Sequence, residues 1–353
     1  MHRLTLADVE LIRRTPGRSL LLFLTDRCPV GCAHCSVDSR SDSPSIRDFA
    51  LFEGLLETIA SQPELTTVGI SGGEPFVERR GLTLTVDRLR AAGKDLVLYT
   101  SGVWANPTIP AWIPPVLRQT SCVFLSTDGF HAATIDDDRF VRAAQTIAEA
   151  EAWIVVQVLA EPDMVTRAED LLVRAFGAVH GRHAELNLIP PLPYGRGAAL
   201  FGSRAKRSAW DFAPCRLLAA PVVRYDGIVG ACCNEQVIMG RGPQRLRLRC
   251  CSGAEATAAI DAFRTDPVLN VIARLGGGPL TCLPQFADLA DRKFGSVCEL
   301  CWAIQARALP LGDRSDRLVT ALAAFDRDNW VAALESSRSF ELTAPVAANV
   351  DGR

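Results

Sequence analysis

The sequence predicts an α/β fold, namely a partial (β/α)6 barrel similar to a TIM barrel, followed by a small cysteine-rich domain that contains a β-hairpin. Three observations lead to this prediction. Short apolar segments alternate with longer amphipathic ones, residues suited to chemistry directly follow several of the apolar segments, and an Asp-Gly pair separates two apolar runs late in the chain. Alternating strands and helices are typical of a parallel sheet with helical crossovers.

Six apolar segments rich in β-branched residues predict strands at residues 19–24, 66–71, 95–100, 122–127, 153–159 and 184–189. The clearest amphipathic segments predict helices at residues 46–61, 78–92, 136–151 and 166–179. The region 106–119 is rich in proline, which weakens any helix there. Because the strands are apolar almost throughout, we expect them to be buried on both faces.

Six units are too few for an eight-stranded barrel, and they favour an open one with its functional groups at the carboxyl ends of the strands. A three-cysteine loop follows the first strand, Gly72-Gly73-Glu74-Pro75 follows the second, and Asp128 follows the fourth. All three therefore belong at the same end of the predicted sheet.

Breaker residues cluster after residue 189 and mark a boundary. We expect a first domain over residues 1–197, a cysteine-bearing domain over 198–310, and a tail over 311–353. The hairpin is predicted from 222–225 and 228–232 around Asp226-Gly227. Residues 241–249 are read as a solvated Arg-rich loop, 314–334 as an amphipathic helix, and 336–353 as disordered.

Composition excludes several classes of function. The chain has 353 residues and a formal net charge of −2, so no basic field predicts a nucleic-acid partner. The longest apolar runs fall far short of the roughly 20 residues of a membrane span, and the first residues do not resemble a signal peptide. Twelve cysteines without an export signal predict a cytoplasmic protein whose thiols bind metal or act in redox chemistry.

Three of these cysteines, Cys28, Cys32 and Cys35, are spaced CxxxCxxC in one loop. A four-iron cluster normally takes four thiolates, so three would leave one iron open, as a chemically active metal site requires. Gly31 permits a tight fold of this loop. A zinc knuckle or a redox sensor is the alternative.

The loop resembles the signature of the radical S-adenosylmethionine (radical SAM) superfamily, with His34 where that family commonly has an aromatic residue. The resemblance implies a [4Fe–4S] cluster whose open iron binds S-adenosylmethionine, and a 5′-deoxyadenosyl radical that abstracts a substrate hydrogen. Gly72, Gly73, Glu74 and Pro75 are similar to the family's GGEP motif, which contacts the amino group of the cofactor. Ser101, Ser126 and Asp128 occupy the family's positions for further cofactor contacts, although helix capping would also explain them.

A second set of cysteines resembles the shortened "twitch" form of SPASM domains. Cys232 ends a Gx4C element and Cys298 with Cys301 forms a CxxC, which together with Cys215 implies a second, auxiliary [4Fe–4S] cluster. Structural zinc is the alternative. Cys233 competes with Cys232 as a ligand. Cys250, Cys251 and Cys282 are left without an assigned role; the alternatives are a further ligand or a hydrogen-atom donor to a substrate radical. Cys122 is read as an ordinary buried thiol.

These resemblances predict an oxidoreductase or maturase that crosslinks, oxidises or epimerises a ribosomally made peptide. The alternatives are a dehydrogenase or epimerase of an aminocyclitol or sugar, and a metal- or cluster-binding protein without catalysis. We expect flavodoxin or ferredoxin as electron donor. Because the first strand starts near residue 19, a leader-peptide-binding domain is expected as a separate protein. His131, three residues after Asp128, is a further candidate for the active site.

Overall fold

The computed structural model describes residues 2–202 and 205–325, which form an α/β structure around one large sheet. The predicted α/β class is confirmed. The first six strands are β1 (Ser19–Phe23), β2 (Thr67–Ser71), β3 (Asp95–Thr100), β4 (Cys122–Ser126), β5 (Trp153–Leu159) and β6 (Ala184–Ile189). All six are parallel and lie in sequence order, with Ser19 opposite Thr67 and Ile154 opposite Ala184. Their bounds fall within one residue of those expected from the sequence.

The helices of this half of the chain are α1 (Leu6–Arg14), α2 (Phe49–Ser61), α3 (Arg79–Ala91), α4 (Ile113–Leu117), α5 (Asp137–Glu149) and α6 (Pro162–Phe176). Helix α6 begins four residues before the predicted start, because Pro162 lies at the first helical position, where its missing N–H costs nothing. Helix α4 is one short turn with prolines at its start. Helix α1 is an element that the sequence pattern did not predict.

The two faces of the sheet are covered differently. Along β3, Leu96 and Leu98 pack into the main core, which also contains residues of α2, α3, α5 and α6. Val97 points to the opposite face, where it joins Val9 of α1 and Phe124 in a separate cluster. Both faces of the strands are therefore buried, as the continuous apolar runs indicated.

Five further strands follow: β7 (Arg207–Ser208), β8 (Val222–Arg224), β9 (Ile228–Gly230), β10 (Arg247–Arg249) and β11 (Lys293–Phe294). Strands β8 and β9 pair antiparallel across the turn at Gly227, whose φ of 82° suits glycine. Strand β8 also pairs parallel with β1, so the sheet has the order β10-β9-β8-β1-β2-β3-β4-β5-β6. The hairpin thus extends the first sheet.

The expectation of a solvated loop over residues 241–249 is wrong at its end, because β10 pairs antiparallel with β9 through its backbone. The remaining helices are α7 (Glu235–Ile238), α8 (Gly253–Thr265), α9 (Pro267–Arg274), α10 (Val297–Gln305) and α11 (Arg317–Ala324). Helix α11 lies within the predicted helix 314–334. The rest of that prediction from residue 326 on, and the predicted disorder over 336–353, fall outside the described residues.

A second apolar cluster forms between residues 209 and 319. Phe212, Ile272, Phe286 and Phe294 are buried in it, and Cys215 and Cys301 belong to the same cluster. The late part of the chain therefore has a core of its own beside the sheet. Among the described residues, no helix is long and apolar enough to cross a membrane.

Candidate active site at the carboxyl end of the sheet

The three-cysteine loop lies between β1 and α2, at the carboxyl end of β1, which is an inner strand of the sheet. Cys28, Cys32 and Cys35 all belong to one small apolar cluster together with Val30 and Ile135. Gly31 has a φ of 68°, which a residue with a side chain rarely adopts. The structure thus brings the three predicted thiols together.

Burial raises the pKa of Cys28 to about 11 and that of Cys32 to about 12. Neighbouring thiols of the loop add to both shifts, since a second negative charge nearby is unfavourable. Without metal these thiols are protonated at neutral pH, and metal binding must displace their protons.

The spacing of the three sulfurs can be compared with the spacing that a single metal ion requires. A single ion held by thiolates at about 2.3 Å would bring any two sulfurs within about 4.6 Å of each other. Among the described residues, the only three ligand atoms that all lie within 4.8 Å belong to His34, Asp128 and His131. In this metal-free arrangement the three sulfurs do not all lie within 4.8 Å of one another.

The Gly-Gly-Glu-Pro turn after β2 packs directly onto the start of the cysteine loop. Gly73 N–H donates to Thr25 O at 2.6 Å, and Glu74 N–H donates to Arg27 O at 2.8 Å. A Cβ on Gly72 would lie 2.6 Å from Thr25 O, and one on Gly73 would lie 2.3 Å from Arg27 O. Both glycines are needed for this backbone contact, whereas the sequence had suggested an approach to a ligand.

The Glu74 carboxylate is fully buried and accepts four hydrogen bonds. The donors are Thr100 Oγ1 at 2.8 Å, Ser101 N at 2.9 Å, Ser101 Oγ at 2.5 Å and Phe76 N at 3.3 Å. Burial raises the pKa of Glu74, and these donors counteract part of the shift. Four donors satisfy a carboxylate. In this arrangement Glu74 joins the ends of β2 and β3 and fixes Ser101 beside the cysteine loop.

Asp128 lies after β4 between two imidazoles. Its Oδ2 is 3.2 Å from His34 Nε2, and its Oδ1 is 3.0 Å from His131 Nδ1. Burial raises the pKa of Asp128, but the two histidines outweigh burial and hold that pKa far below its usual range. The His131 contact is close without being a well-formed hydrogen bond, because His131 Nδ1 is buried and has no partner that meets hydrogen-bond geometry. Asp128 is therefore an ionised carboxylate in close contact with both rings. Ser126 is half-buried at the end of β4.

A cleft of about 430 Å³ lies beside this triad, between the β5–α6 connection and the segment after β6. The His34 ring stacks on Phe130 with 4.7 Å between centroids, and Phe130 in turn meets the edge of Phe201. Both phenylalanines line the cleft, together with Leu159, Glu161, Pro162, Asp163 and Met164. No sequence motif pointed to this cleft, since its lining comes from three separate segments.

The cysteines of the second set lie close together near the hairpin of β8 and β9. Cys215, Cys232 and Cys301 are buried, and Cys298 lies one turn before Cys301 on α10. Burial raises the pKa of Cys301, and the nearby Cys215 and Cys298 raise it further. Burial likewise raises the pKa of Cys232, with contributions from Cys233, Cys301 and Cys215. The four predicted ligands therefore lie close enough together for the charge of one thiolate to raise the pKa of another.

The side chain of Cys233 points in a different direction from that of Cys232. Its sulfur accepts a hydrogen bond from Arg13 Nη2 at 3.6 Å and lines a cavity of about 30 Å³ with Tyr99 on the α1 side of the sheet. Successive residues of extended chain point to opposite sides. Cys250 is buried, Cys251 and Cys282 are exposed, and Cys122 is buried in β4.

Two arginines from distant segments contact the cysteine loop, and the sequence had given neither of them a role at this site. Arg224 of β8 forms a bidentate salt bridge with Asp26. Arg196, in the segment after β6, donates hydrogen bonds to the backbone carbonyls of Cys32 and Ser39 in the loop. Neither arginine lies near the loop in sequence. Only the pairing of distant segments could reveal them.

Comparisons with known proteins agree with the fold. No protein-family model matches the chain, and no curated protein matches it. A structure of anSMEcpe with bound AdoMet and Cp18Cys peptide is similar with 13% identity and a TM-score of 0.50, over 92% of this chain and 99% of that one. This likeness shows the fold.

Two other structures are less similar. SuiB of Streptococcus suis bound to S-adenosylmethionine matches 64% of this chain with 14% identity and a TM-score of 0.42, and BtrN in complex with AdoMet and 2-DOIA matches 78% of this chain and 92% of its own with 15% identity and a TM-score of 0.40. The chain spans 63% of the length of SuiB.

Proposed function

We propose that this chain is a radical SAM enzyme whose radical-generating [4Fe–4S] cluster is held by Cys28, Cys32 and Cys35. The observation that carries the proposal is the position of three gathered thiols at the carboxyl end of β1, against the Gly-Gly-Glu-Pro turn. When bound, the cluster and S-adenosylmethionine supply one-electron chemistry that ends in hydrogen abstraction from a substrate.

The protein contributes position and shielding in this proposal. Glu74 fixes Ser101 next to the cysteine loop. Asp128 contacts His34 and His131, and His34 stacks on Phe130, which lines the cleft. The proposed cofactor site remains that of the sequence prediction, and Glu74 also joins the loops that carry it. Its residues are Gly72, Gly73, Glu74, Pro75, Ser101, Ser126 and Asp128.

A second [4Fe–4S] cluster is proposed at Cys215, Cys232, Cys298 and Cys301, in a twitch-like domain. Mutual proximity and burial of these thiols support the proposal, since a closed site needs four protein ligands away from water. The sulfur of Cys233 faces Arg13, which supports Cys232 as the ligand.

The proposed substrate is a ribosomally made peptide, which the enzyme oxidises, crosslinks or epimerises. An open cleft with aromatic walls next to His34 suits a peptide side chain, and the fold is shared with a protein whose structure holds a peptide. An aminocyclitol or sugar is the second candidate. The proposed partners are flavodoxin or ferredoxin and a separate leader-binding protein, in the cytoplasm.

The test is to purify and reconstitute the protein anaerobically, reduce it, add S-adenosylmethionine and measure 5′-deoxyadenosine. We expect roughly eight irons per chain in the wild type, and about half of that in a variant with Cys28, Cys32 and Cys35 all changed to Ala. That variant should form no 5′-deoxyadenosine. Cofactor cleavage that persists in it, or a protein that takes up zinc alone, would reject the proposal in favour of a non-catalytic metal protein.

A further inference from the structure

The segment after β6 runs back across the sheet to touch the cysteine loop. Gly195 has a φ of 54°, and a Cβ at this position would lie 2.3 Å from Cys35 O and 2.6 Å from Ser36 O. The next residue, Arg196, donates its backbone N–H to Cys35 O at 3.0 Å. A residue other than glycine would therefore push the segment away from the loop.

The side chain of Arg196 continues this contact along the loop. Its Nε donates to Cys32 O at 2.9 Å, and its Nη1 donates to Asp38 Oδ1 at 2.9 Å and to Ser39 O at 3.0 Å. With the backbone bond, one residue thus binds the carbonyls of Cys32, Cys35 and Ser39. These bonds span the part of the loop that carries two of the three thiols.

One nitrogen of the guanidinium has no partner. Nη2 of Arg196 is buried and makes no hydrogen bond, although its neighbours Nε and Nη1 are both satisfied. A buried cationic N–H without an acceptor is costly and rare in native proteins. Because Nε and Nη1 are both bonded to the loop, the fixed planar fork keeps Nη2 beside it as well.

We propose that Arg196 is a positioning residue for the cluster at Cys28, Cys32 and Cys35: it holds the loop in its ligating shape, and its buried charge and unpartnered N–H lie beside the loop that would hold the anionic cluster. This inference rests on the proposed function. Net charge and hydrogen bonds to sulfur set the reduction potential of iron–sulfur clusters. A cation at this place stabilises the reduced, more negative state and so raises the potential.

Arg196→Gln removes the charge and the fork, and Arg196→Lys keeps the charge but loses the fork. Arg40→Gln is the matched control, because Arg40 also pairs with Asp38, at 3.1 Å, but its side chain is 60% exposed. The first measurement is hydrogen exchange over residues 28–39 in the metal-free protein. We expect exchange at least about tenfold faster in both Arg196 variants than in the wild type, and no change in Arg40→Gln.

The second measurement is a redox titration of the reconstituted cluster that responds to S-adenosylmethionine, followed by electron paramagnetic resonance. We expect the midpoint to fall in Arg196→Gln by about 59 mV, a tenfold change for one electron, and to fall less in Arg196→Lys. Unchanged exchange and unchanged midpoint in Arg196→Gln would overturn the proposal, and so would equal changes in Arg40→Gln.

The two proposals fail separately. If the wild type lacks a cluster that responds to S-adenosylmethionine, the proposed function is rejected. The exchange result in the metal-free protein still decides whether Arg196 holds the loop. If Arg196→Gln does not fold, hydrogen exchange of Arg196→Lys still tests whether the guanidinium fork holds the loop, and unchanged exchange in that variant would overturn the proposal.

Discussion

Replacing Arg224 with Met is expected to destabilise the protein because it breaks a buried ion pair between the hairpin and the cysteine loop. Arg224 Nη1 and Nη2 donate to the two oxygens of Asp26 at 3.0 and 2.8 Å, and the arginine side chain is only 7% exposed. Tyr225 donates a further hydrogen bond to Asp26 at 2.8 Å. In the variant the Asp26 carboxylate keeps Tyr225 but loses its countercharge.

The expected loss in free energy of unfolding is about 3–5 kcal/mol, the usual cost of leaving one buried charge unpaired. The assay is urea unfolding of the metal-free protein. With a slope of about 3 kcal/mol per molar urea, this loss lowers the midpoint by about 1–1.7 M. The control is Arg40→Met, whose pair with Asp38 is largely exposed and should contribute about 0–1 kcal/mol.

A double variant tests the cause. If the unpaired charge is what destabilises Arg224→Met, then adding Asp26→Leu removes that charge, and the double variant should be more stable than Arg224→Met alone. A loss below about 1 kcal/mol for Arg224→Met, or a double variant that is no more stable than the single one, would refute this reasoning.

Two other outcomes are expected at the cysteines. Cys232→Ala should lose about half of the bound iron, because it removes a proposed ligand, whereas Cys233→Ala should keep its iron because the Cys233 sulfur faces Arg13. Iron analysis of the two variants checks this expectation, and the reverse result would exchange the roles of the two cysteines. In the metal-free protein at pH 8, Cys28 and Cys32 should react with iodoacetamide more slowly than the exposed Cys251, and should speed up only as the pH approaches 11–12, because burial raises their pKa values. For the same reason their contribution to stability is present below about pH 9 and is lost as the pH rises through these values. Mass spectrometry of the labelled protein decides the comparison, and equal rates at pH 8 would contradict it.

The strands of the sheet could be read from the sequence because each is a short apolar segment bounded by polar residues. Strand β4 shows why this works: a strand buried on both faces must be apolar throughout. Helix α1 was missed because it has only nine residues and buries only Val9. Strand β10 was missed because two of its three residues are arginines, and only its backbone pairing with β9 makes it a strand.

The sequence could predict only the part of the candidate site that consists of contiguous motifs. Motifs such as the three-cysteine loop and the Gly-Gly-Glu-Pro turn are contiguous, so their spacing carries information. The choice between Cys232 and Cys233 depends on what lies on either side of the chain, which no local pattern contains. The role of Glu74 was also set by tertiary contacts, because its four donors come from two separate strand ends.

The cysteine loop is held from three directions by segments far apart in sequence. The turn after β2 bonds to Thr25 and Arg27, the segment after β6 brings Arg196 to the carbonyls of the loop, and β8 brings Arg224 to Asp26. Each of these segments is positioned by a different part of the sheet, and β8 and β2 flank β1 on its two sides. The geometry of the thiols therefore depends on the whole sheet, including the hairpin that the sequence had assigned to a separate domain. A deletion of the hairpin should accordingly disturb the first cysteine site as well as the second, which two independent domains would not predict.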